Sequence, residues 1–283
     1  MRTPPFPAST EAAIKSSHAL HKTGLGLDTI QADIETLITN SILNTPRSLQ
    51  ETIGPSEVGM SCDHCLAARL AGWEKVGDSL PWAATVGTAV HALLENYIYT
   101  HQTRDPDSMD RYYTEHPVTV GTISGQQITG SVDVIDTLTG ATIDWKVVSK
   151  TQLAKYKREG PTPQYRVQAH LYARGANNAG IKVDTVSIAF LPRQSNNYME
   201  RYWWSEPYNP LVAEKALTRA NTIANSLTAL AAVGEATRDA WISGLPRAND
   251  CWDCARYPDA PPPAPQMSDG VLMDLQTGKE NRK

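Results

Sequence analysis

Two Cys-x-x-Cys pairs near opposite ends of the chain are the sequence feature that most constrains its fold. The chain of 283 residues has four cysteines, and all of them belong to these pairs, Cys62/Cys65 and Cys251/Cys254. In a reducing compartment such spacing favours metal binding over disulfides. One four-thiolate site would join the two ends of a domain, whereas two free-thiol pairs or two redox motifs would not. The spacing is compatible with zinc and with an iron–sulfur cluster.

The composition is that of a globular protein, with 41% hydrophobic and 20% charged residues. We find no apolar run long enough for a membrane span, and the first ten residues lack the charged and apolar regions of a signal peptide. We therefore expect a cytoplasmic protein that does not contact a membrane. The net charge of −4 gives no overall attraction to nucleic acid, so such binding would require a local basic patch.

The chain divides into three regions by composition. Residues 1–55 predict an N-terminal helical extension with a helix near Thr29–Leu43, where isoleucine and leucine recur at helical spacing. Residues 56–257 predict the main domain. Residues 258–283 are rich in proline and end in charged residues, which predicts a disordered tail.

The main domain alternates helix-like and strand-like segments in a definite order. That order is one helix, three strands, a second helix and a fourth strand, followed by a fifth strand and a long final helix, which predicts a mixed sheet covered by helices. Gly175 would end the second helix. The segments are expected at Leu80–His101, His116–Ile123, Ile128–Asp136, Ala141–Val148, Thr162–Gly175, Val183–Arg193, Tyr198–Trp204 and Pro210–Val233.

The segment GSVDVIDTLTGATIDWKVVSK, residues 130–150, predicts a β-hairpin that carries an aspartate in each strand. If its Thr-Leu-Thr-Gly turn is symmetric, Asp133 lies directly opposite Asp144, and strand alternation places Lys146 on the same face. Like charges in opposed positions, about 5 Å apart, are destabilising. A divalent cation such as Mg²⁺ between the carboxylates would remove that cost. Alternatively, Asp133 is solvated on an exposed face and Asp144 forms an ion pair with Lys146.

The helix before the hairpin carries a second polar pair. His91 and Glu95 are one turn apart and share a face with Gly87, whose missing side chain would permit close approach. This face would add a histidine to the paired aspartates. Alternatively, His91 is a satisfied polar residue and Glu95 a surface carboxylate.

The chain contains four short motifs in a fixed order, each on its expected helix or strand. They are Gly87-x-x-x-His91, Gly130-x-x-Asp133, Asp144-x-Lys146 and Gln168-x-x-x-Tyr172. In this order the chain resembles the RecB-type branch of the PD-(D/E)xK nucleases. The resemblance implies an α/β fold with a restriction-endonuclease-like core of helix, three strands, helix and strand.

The flanking cysteines extend the resemblance. They are similar to the iron–sulfur staple of RecB-like exonucleases, including CRISPR-associated and phage-encoded ones. Those proteins commonly have one cysteine before the first motif and three after the last strand, whereas this chain has two before and two after. The resemblance implies a 4Fe–4S cluster on Cys62, Cys65, Cys251 and Cys254, with Zn²⁺ as the alternative.

The resemblance also implies the activity and the roles of residues. The chain would be a divalent-metal-dependent DNA exonuclease acting in replication, recombination or repair, in the host cytoplasm if phage-encoded. Mg²⁺ or Mn²⁺ would be bound by His91, Asp133, Asp144 and the carbonyl of Trp145. Lys146 would orient the attacking water or stabilise the transition state, and Glu95 would act through a water or through His91.

DNA would be the partner, with a free end or single-stranded, and replication or recombination proteins would be further partners. Gln168 and Tyr172, with Gln164 one turn earlier, would border the active site. A basic loop after the hairpin would contact phosphates through Lys150, Lys155, Lys157 and Arg158. Two alternatives remain, a zinc-stabilised nucleic-acid-binding module without catalysis and an inactive nuclease-fold scaffold.

Overall fold

The computed structural model of the protein describes residues 27–44, 52–76, 80–105, 110–249, 251 and 253–260. The chain divides into two units, Met1–Gln50 with Ser79–Thr85 and Glu51–Asp78 with Val86–Lys283. The region boundaries drawn from composition stay a prediction, and the predicted disorder of residues 261–283 falls outside the described residues. Among the helices in the described ranges, none combines the length and apolar character that a membrane span requires.

The smaller unit contains helix α1, Leu27–Leu43, which confirms the helix predicted near Thr29–Leu43. Ile34 and Leu37 are exposed on α1, whereas Ile42 near its end is buried.

The larger unit is built on a five-stranded mixed sheet with the strand order β1-β2-β3-β4-β5. The β1–β2, β2–β3 and β4–β5 pairs are antiparallel and the β3–β4 pair is parallel. This confirms the predicted mixed α/β fold and its order of core elements. The elements are α2 (Pro55–Val58), α3 (Asp63–Leu70), α4 (Trp82–Arg104, whose first turn belongs to the smaller unit), β1 (Tyr112–Ile123), β2 (Gln126–Asp136), β3 (Ala141–Val148), α5 (Lys150–Glu159), α6 (Pro163–Asn178), β4 (Thr185–Pro192), a 3₁₀ turn (Tyr198–Glu200), β5 (Tyr202–Pro207), α7 (Pro210–Val233) and α8 (Glu235–Ser243).

The register of the β2–β3 hairpin follows the symmetric turn predicted from sequence. Val134 pairs with Ile143 and Asp136 with Ala141. The Asp136 carboxylate closes the turn, because it accepts hydrogen bonds from the Arg111 guanidinium at 2.8 and 2.9 Å and from the Thr139 hydroxyl at 2.8 Å. These bonds lower the pKa of Asp136 to about 2. The turn therefore fixes the register of both strands.

Strand β4, which is parallel to β3, is buried along most of its length. Ile188 and Phe190 are fully buried, as expected for a strand covered on both faces. Two helices, α5 and α6, make the crossover from β3 to β4. Tyr156 of α5 packs on Phe190 with ring centroids 4.5 Å apart, so this crossover covers the strand that neighbours the hairpin.

Helix α6 does not end at Gly175, so that prediction was wrong. The helix continues to Asn178. A Cβ atom at Gly175 would lie 2.8 Å from the Val118 side chain. This glycine allows α6 to lie close against β1 and does not break the helix.

The predicted basic loop after the hairpin is instead helix α5. Ser149 caps its first turn and forms a capping box with Gln152, while Leu153 and Tyr156 are buried one turn apart. The fifth strand begins at Tyr202 and not at Tyr198, because a 3₁₀ turn occupies the first residues of the predicted strand.

Candidate active site

The Asp133 carboxylate is buried on β2 and both of its oxygens have contacts. Oδ2 accepts a hydrogen bond of 2.7 Å from the Trp145 backbone amide on β3. Oδ1 lies 3.3 Å from Nδ1 of His91, which α4 brings to the sheet. The expected approach of His91 to this aspartate is therefore present in the structure.

The His91 imidazole connects α4 to both strands of the hairpin. Its Nε2 lies 3.0 Å from the Trp145 carbonyl oxygen, and since a carbonyl can only accept, Nε2 carries a proton. Burial lowers the pKa of His91, but the hydrogen bond and the charge of Asp133 outweigh burial and raise it above the ordinary value. His91 is thus fixed at both ring nitrogens, with Nδ1 facing a carboxylate.

Glu115 on β1 completes a group that the sequence analysis missed. Its carboxylate, a nitrogen of His91 and a carboxylate oxygen of Asp133 all lie within 4.8 Å of one another. One imidazole and two carboxylates are groups that can serve as ligands of Mn²⁺ and Mg²⁺. Desolvation raises the pKa of Glu115, and the nearby negative charge of Asp133 raises it further. A cation at this point would relieve that repulsion.

The backbone at Glu115 is strained. Its φ of 44° is in the left-handed region, which non-glycine residues rarely adopt. The register places it opposite Asp133, between the pairs Thr114–Val134 and His116–Val132. Such strain often marks a functional site. The predicted strand began at His116, one residue too late to include this carboxylate.

Asp144 and Lys146 form a buried ion pair on β3, with Nζ 2.5 Å from Oδ2. Burial raises the pKa of Asp144 to about 6. Burial lowers the pKa of Lys146, but the charges of Asp144 and Asp133 outweigh it and keep the amine protonated. The Lys146 ammonium also lies 5.1 Å from the centre of the Tyr165 ring. Lys146 is therefore a fixed positive charge beside the carboxylates.

Gln168 and Tyr172 are both buried on α6, where the Gln168 amide donates to the Tyr172 hydroxyl at 3.1 Å. Burial raises the pKa of Tyr172 to about 12, with the charge of Asp144 adding to it. A Cβ atom at Gly130 would lie 3.1 Å from the Tyr172 ring and 2.7 Å from Pro55. The glycine of the second motif thus allows α2 and α6 to approach β2.

Three other predicted positions have different surroundings from those expected. Gly87 does not permit a close approach, because an added Cβ would meet nothing within 4 Å. Gln164 donates at 2.6 Å to the Ser56 carbonyl, so its side chain joins α6 to α2. Glu95 is half-buried one turn after His91, and its charge contributes to the raised pKa of Glu115.

The predicted phosphate-binding residues are all exposed on α5. Arg158 forms an exposed ion pair of 2.6 Å with Glu159. Leu153 and Tyr156 occupy the buried side of the helix. Helix α5 thus carries four exposed cations directly after the strand that contains Lys146. They are Lys150, Lys155, Lys157 and Arg158.

The four cysteines converge on one point, as predicted. The sulfur atoms of Cys62 and Cys254 are 3.5 Å apart, those of Cys65 and Cys254 3.6 Å, and those of Cys251 and Cys65 3.7 Å. All four are free thiols within 4.8 Å of one another. They could therefore hold a metal ion or a cluster. The site joins α3 near the start of the larger unit to the segment after α8.

Comparisons with known proteins give only distant likenesses. No family model and no curated protein matches the chain significantly. An alkaline exonuclease from Laribacter hongkongensis is 12% identical with a TM-score of 0.44, over 63% of this chain and 89% of that one. Its complex with dAMP is 14% identical with a TM-score of 0.41, over 63% and 89%. A protein of Eubacterium rectale, provisionally described as an exonuclease, is 17% identical with a TM-score of 0.39, over 84% and 97%. Each of these TM-scores is below 0.5.

Proposed function

We propose that the protein is a divalent-metal-dependent deoxyribonuclease, and specifically an exonuclease acting in DNA replication, recombination or repair. The single observation that carries this proposal is the convergence of His91, Glu115 and Asp133 beside the buried Asp144–Lys146 pair. Metal-dependent hydrolysis of a phosphodiester uses a bound cation together with a fixed positive charge beside the phosphate. This arrangement of side chains is suited to both requirements.

The cation would be held by His91, Glu115 and Asp133. When bound, it would lower the pKa of a water molecule and neutralise charge on the phosphate. The Trp145 amide keeps the second oxygen of Asp133 occupied, so Oδ1 remains directed at the group. Asp144 and the Trp145 carbonyl, the other two ligands implied by the family resemblance, stay part of the proposal, although in the structure they contact Lys146 and His91 respectively.

Lys146 would contact the scissile phosphate or the attacking water. Its ammonium is protonated and held by Asp144 at 2.5 Å, so little reorganisation is needed when charge develops on the phosphate oxygens. Gln168 and Tyr172 would support this edge of the site, because the Tyr172 phenol stays neutral well above physiological pH and can donate a hydrogen bond. Glu95 would act through a water or through His91.

The exposed cations of α5 would bind phosphates on either side of the cleaved one. Contacts of this kind are independent of sequence and weaken with salt. These contacts would hold the DNA beside the end of β3, where α5 begins.

The test uses three labelled DNA substrates: linear duplex, linear single strands and covalently closed circles. We expect Mg²⁺ or Mn²⁺ to support release of nucleotides from linear DNA, EDTA to abolish it, and closed circles to remain intact. Cleavage of circles at the same rate would contradict the exonuclease assignment. Binding of all substrates without any cleavage would favour the alternative, a zinc-stabilised nucleic-acid-binding module, for which the four-cysteine site is the supporting observation.

A further inference from the structure

We propose that the four cysteines bind a single zinc ion in a tetrahedral site and do not hold the 4Fe–4S cluster that the family resemblance implies. The inference concerns the cysteine site alone and does not depend on the proposed nuclease activity. It rests on the separations of the sulfur atoms and on the contacts that hold the two cysteine pairs in place.

The sulfur separations match one shared ion. Four thiolates around one zinc lie about 3.8 Å apart, because zinc–sulfur bonds are about 2.3 Å long. The separations of 3.5, 3.6 and 3.7 Å are close to this value. In a 4Fe–4S cluster each thiolate binds a different iron, which places the sulfurs roughly 6 Å apart. No pair among the four exceeds 4.8 Å, so the described cysteines do not fit the cluster.

Cys62 and Cys65 are fixed on helix α3. Cys62 caps the helix, and its sulfur accepts a hydrogen bond of 3.4 Å from the Cys65 backbone amide. Both side chains are buried, with Leu66 and Ala67 packed into the core behind them. The Cys62 sulfur could move away from this position only by losing its hydrogen bond with the Cys65 amide.

Arg247 fixes the second pair of cysteines against the first. Its guanidinium donates to the Cys254 carbonyl at 3.3 Å and to the Tyr257 carbonyl at 3.2 Å, and it lies 3.0 Å from Nε2 of His64 on α3. The Tyr257 and His64 side chains are fully buried. Arg247 thus connects the backbone at Cys254 and Tyr257 to His64, next to Cys65.

The same contact settles the protonation of His64. Because a guanidinium can only donate, Nε2 of His64 accepts, and the proton of the neutral ring is on Nδ1. Nδ1 faces the Cys65 sulfur at 4.0 Å. His64 is therefore not a fourth or fifth ligand. It is a positioning residue whose N–H is directed at a thiolate, as is common around metal-bound sulfur.

The experiment measures metal and sulfide in the full-length protein, purified both anaerobically and in air from cells supplied with iron and zinc. We expect stoichiometric zinc, no acid-labile sulfide and a colourless protein under both conditions. Replacement of zinc by Co²⁺ should give the visible bands of a tetrahedral four-thiolate site. Iron and sulfide in equal amounts in the anaerobic preparation would overturn the inference, whatever the aerobic preparation contains.

Variants outside the four cysteines test the same site without removing a ligand. Arg247→Met should keep stoichiometric zinc but release it to a chelator at least about tenfold faster, because the two cysteine pairs lose their connection. Lys215→Met, an exposed change on α7, is the matched control and should release zinc at the wild-type rate. His64→Gln should leave the zinc content and the four-sulfur Co²⁺ spectrum unchanged, whereas loss of a nitrogen-ligand signature in this variant would overturn the four-thiolate assignment.

Discussion

Asp133 and Trp145 lie on neighbouring strands, and the Asp133 carboxylate accepts a hydrogen bond of 2.7 Å from the Trp145 amide. The carbonyl of the same tryptophan residue faces Nε2 of His91 at 3.0 Å, and the other carboxylate oxygen of Asp133 faces Nδ1 at 3.3 Å. These three contacts close a ring between α4 and the hairpin. The ring gives the carboxylate and the imidazole a single relative orientation, which a cation site requires.

Glu115→Gln should weaken Mn²⁺ binding at least about tenfold, which corresponds to about 1.4 kcal/mol. The change removes a negative charge from a group of three donors but keeps the shape of the side chain. Calorimetric titration with Mn²⁺ measures the effect. Glu235→Gln, at an exposed carboxylate on α8, is the matched control and should bind Mn²⁺ within about twofold of wild type. Equal losses in both variants would exclude Glu115 as a ligand.

The cation-dependent cleavage rate should fall as the pH drops through about 6. Burial raises the pKa of Asp144 to about 6 in the metal-free protein, so the carboxyl gains a proton below that pH and its ion pair with Lys146 is lost. Because the folded-state pKa is raised above the ordinary value of 3.8, ionising Asp144 costs stability, and this cost builds up as the pH rises from about 4 to about 6. Higher Mn²⁺ concentrations should move the midpoint of the pH–rate profile to lower pH, since cation and proton compete. A midpoint that does not respond to Mn²⁺ would contradict this role for the buried carboxylate.

Gly130→Ala should destabilise the protein by about 1–3 kcal/mol, because the new methyl group would lie 2.7 Å from Pro55 and 3.1 Å from the Tyr172 ring. Gly87→Ala is the matched control. An alanine there meets nothing within 4 Å and should raise helix stability by about 0.5–1 kcal/mol. Urea unfolding followed by circular dichroism distinguishes the two. Equal effects would show that close packing at Gly130 does not limit stability.

Replacing Lys150, Lys155 and Lys157 together by alanine should weaken DNA binding and lower its salt dependence. If each lysine contacts one phosphate, the slope of log affinity against log salt should decrease by roughly 2 to 3. Fluorescence anisotropy at several salt concentrations gives this slope. The exposed pair Lys182 and Lys215, changed to alanine, should leave the slope unaltered. A triple variant with the wild-type slope would place the DNA elsewhere.

The hairpin was predictable because its information is local. The turn and the alternation of residues fix the register, and the observed pairs of Val134 with Ile143 and of Asp136 with Ala141 follow it. Helix α5 was also encoded locally, in the Ser149–Gln152 capping box and the buried Leu153 and Tyr156. Because this segment contains several lysines, we predicted a loop there and did not use the helical spacing of Leu153 and Tyr156.

Glu115 could not be predicted in the same way. Its role arises from pairing between β1 and β2, together with a left-handed backbone that no local pattern indicates. The close approaches at Gly130 and Gly175 likewise depend on which helix packs on which strand. Gly87 looked equivalent to them in sequence but has open space around it. The contribution of Glu115 to the metal-binding group is therefore a product of tertiary packing.

The most direct test of the central claim is single-turnover cleavage of end-labelled linear DNA by Lys146→Met in saturating Mn²⁺. Lys146 is the fixed positive charge of the site and is paired with Asp144 at 2.5 Å. We predict at least a 100-fold loss of rate, about 2.7 kcal/mol, with Mn²⁺ affinity retained and with Lys215→Met as active as wild type. Cleavage by Lys146→Met at the wild-type rate would contradict the assignment of this site as the nuclease centre.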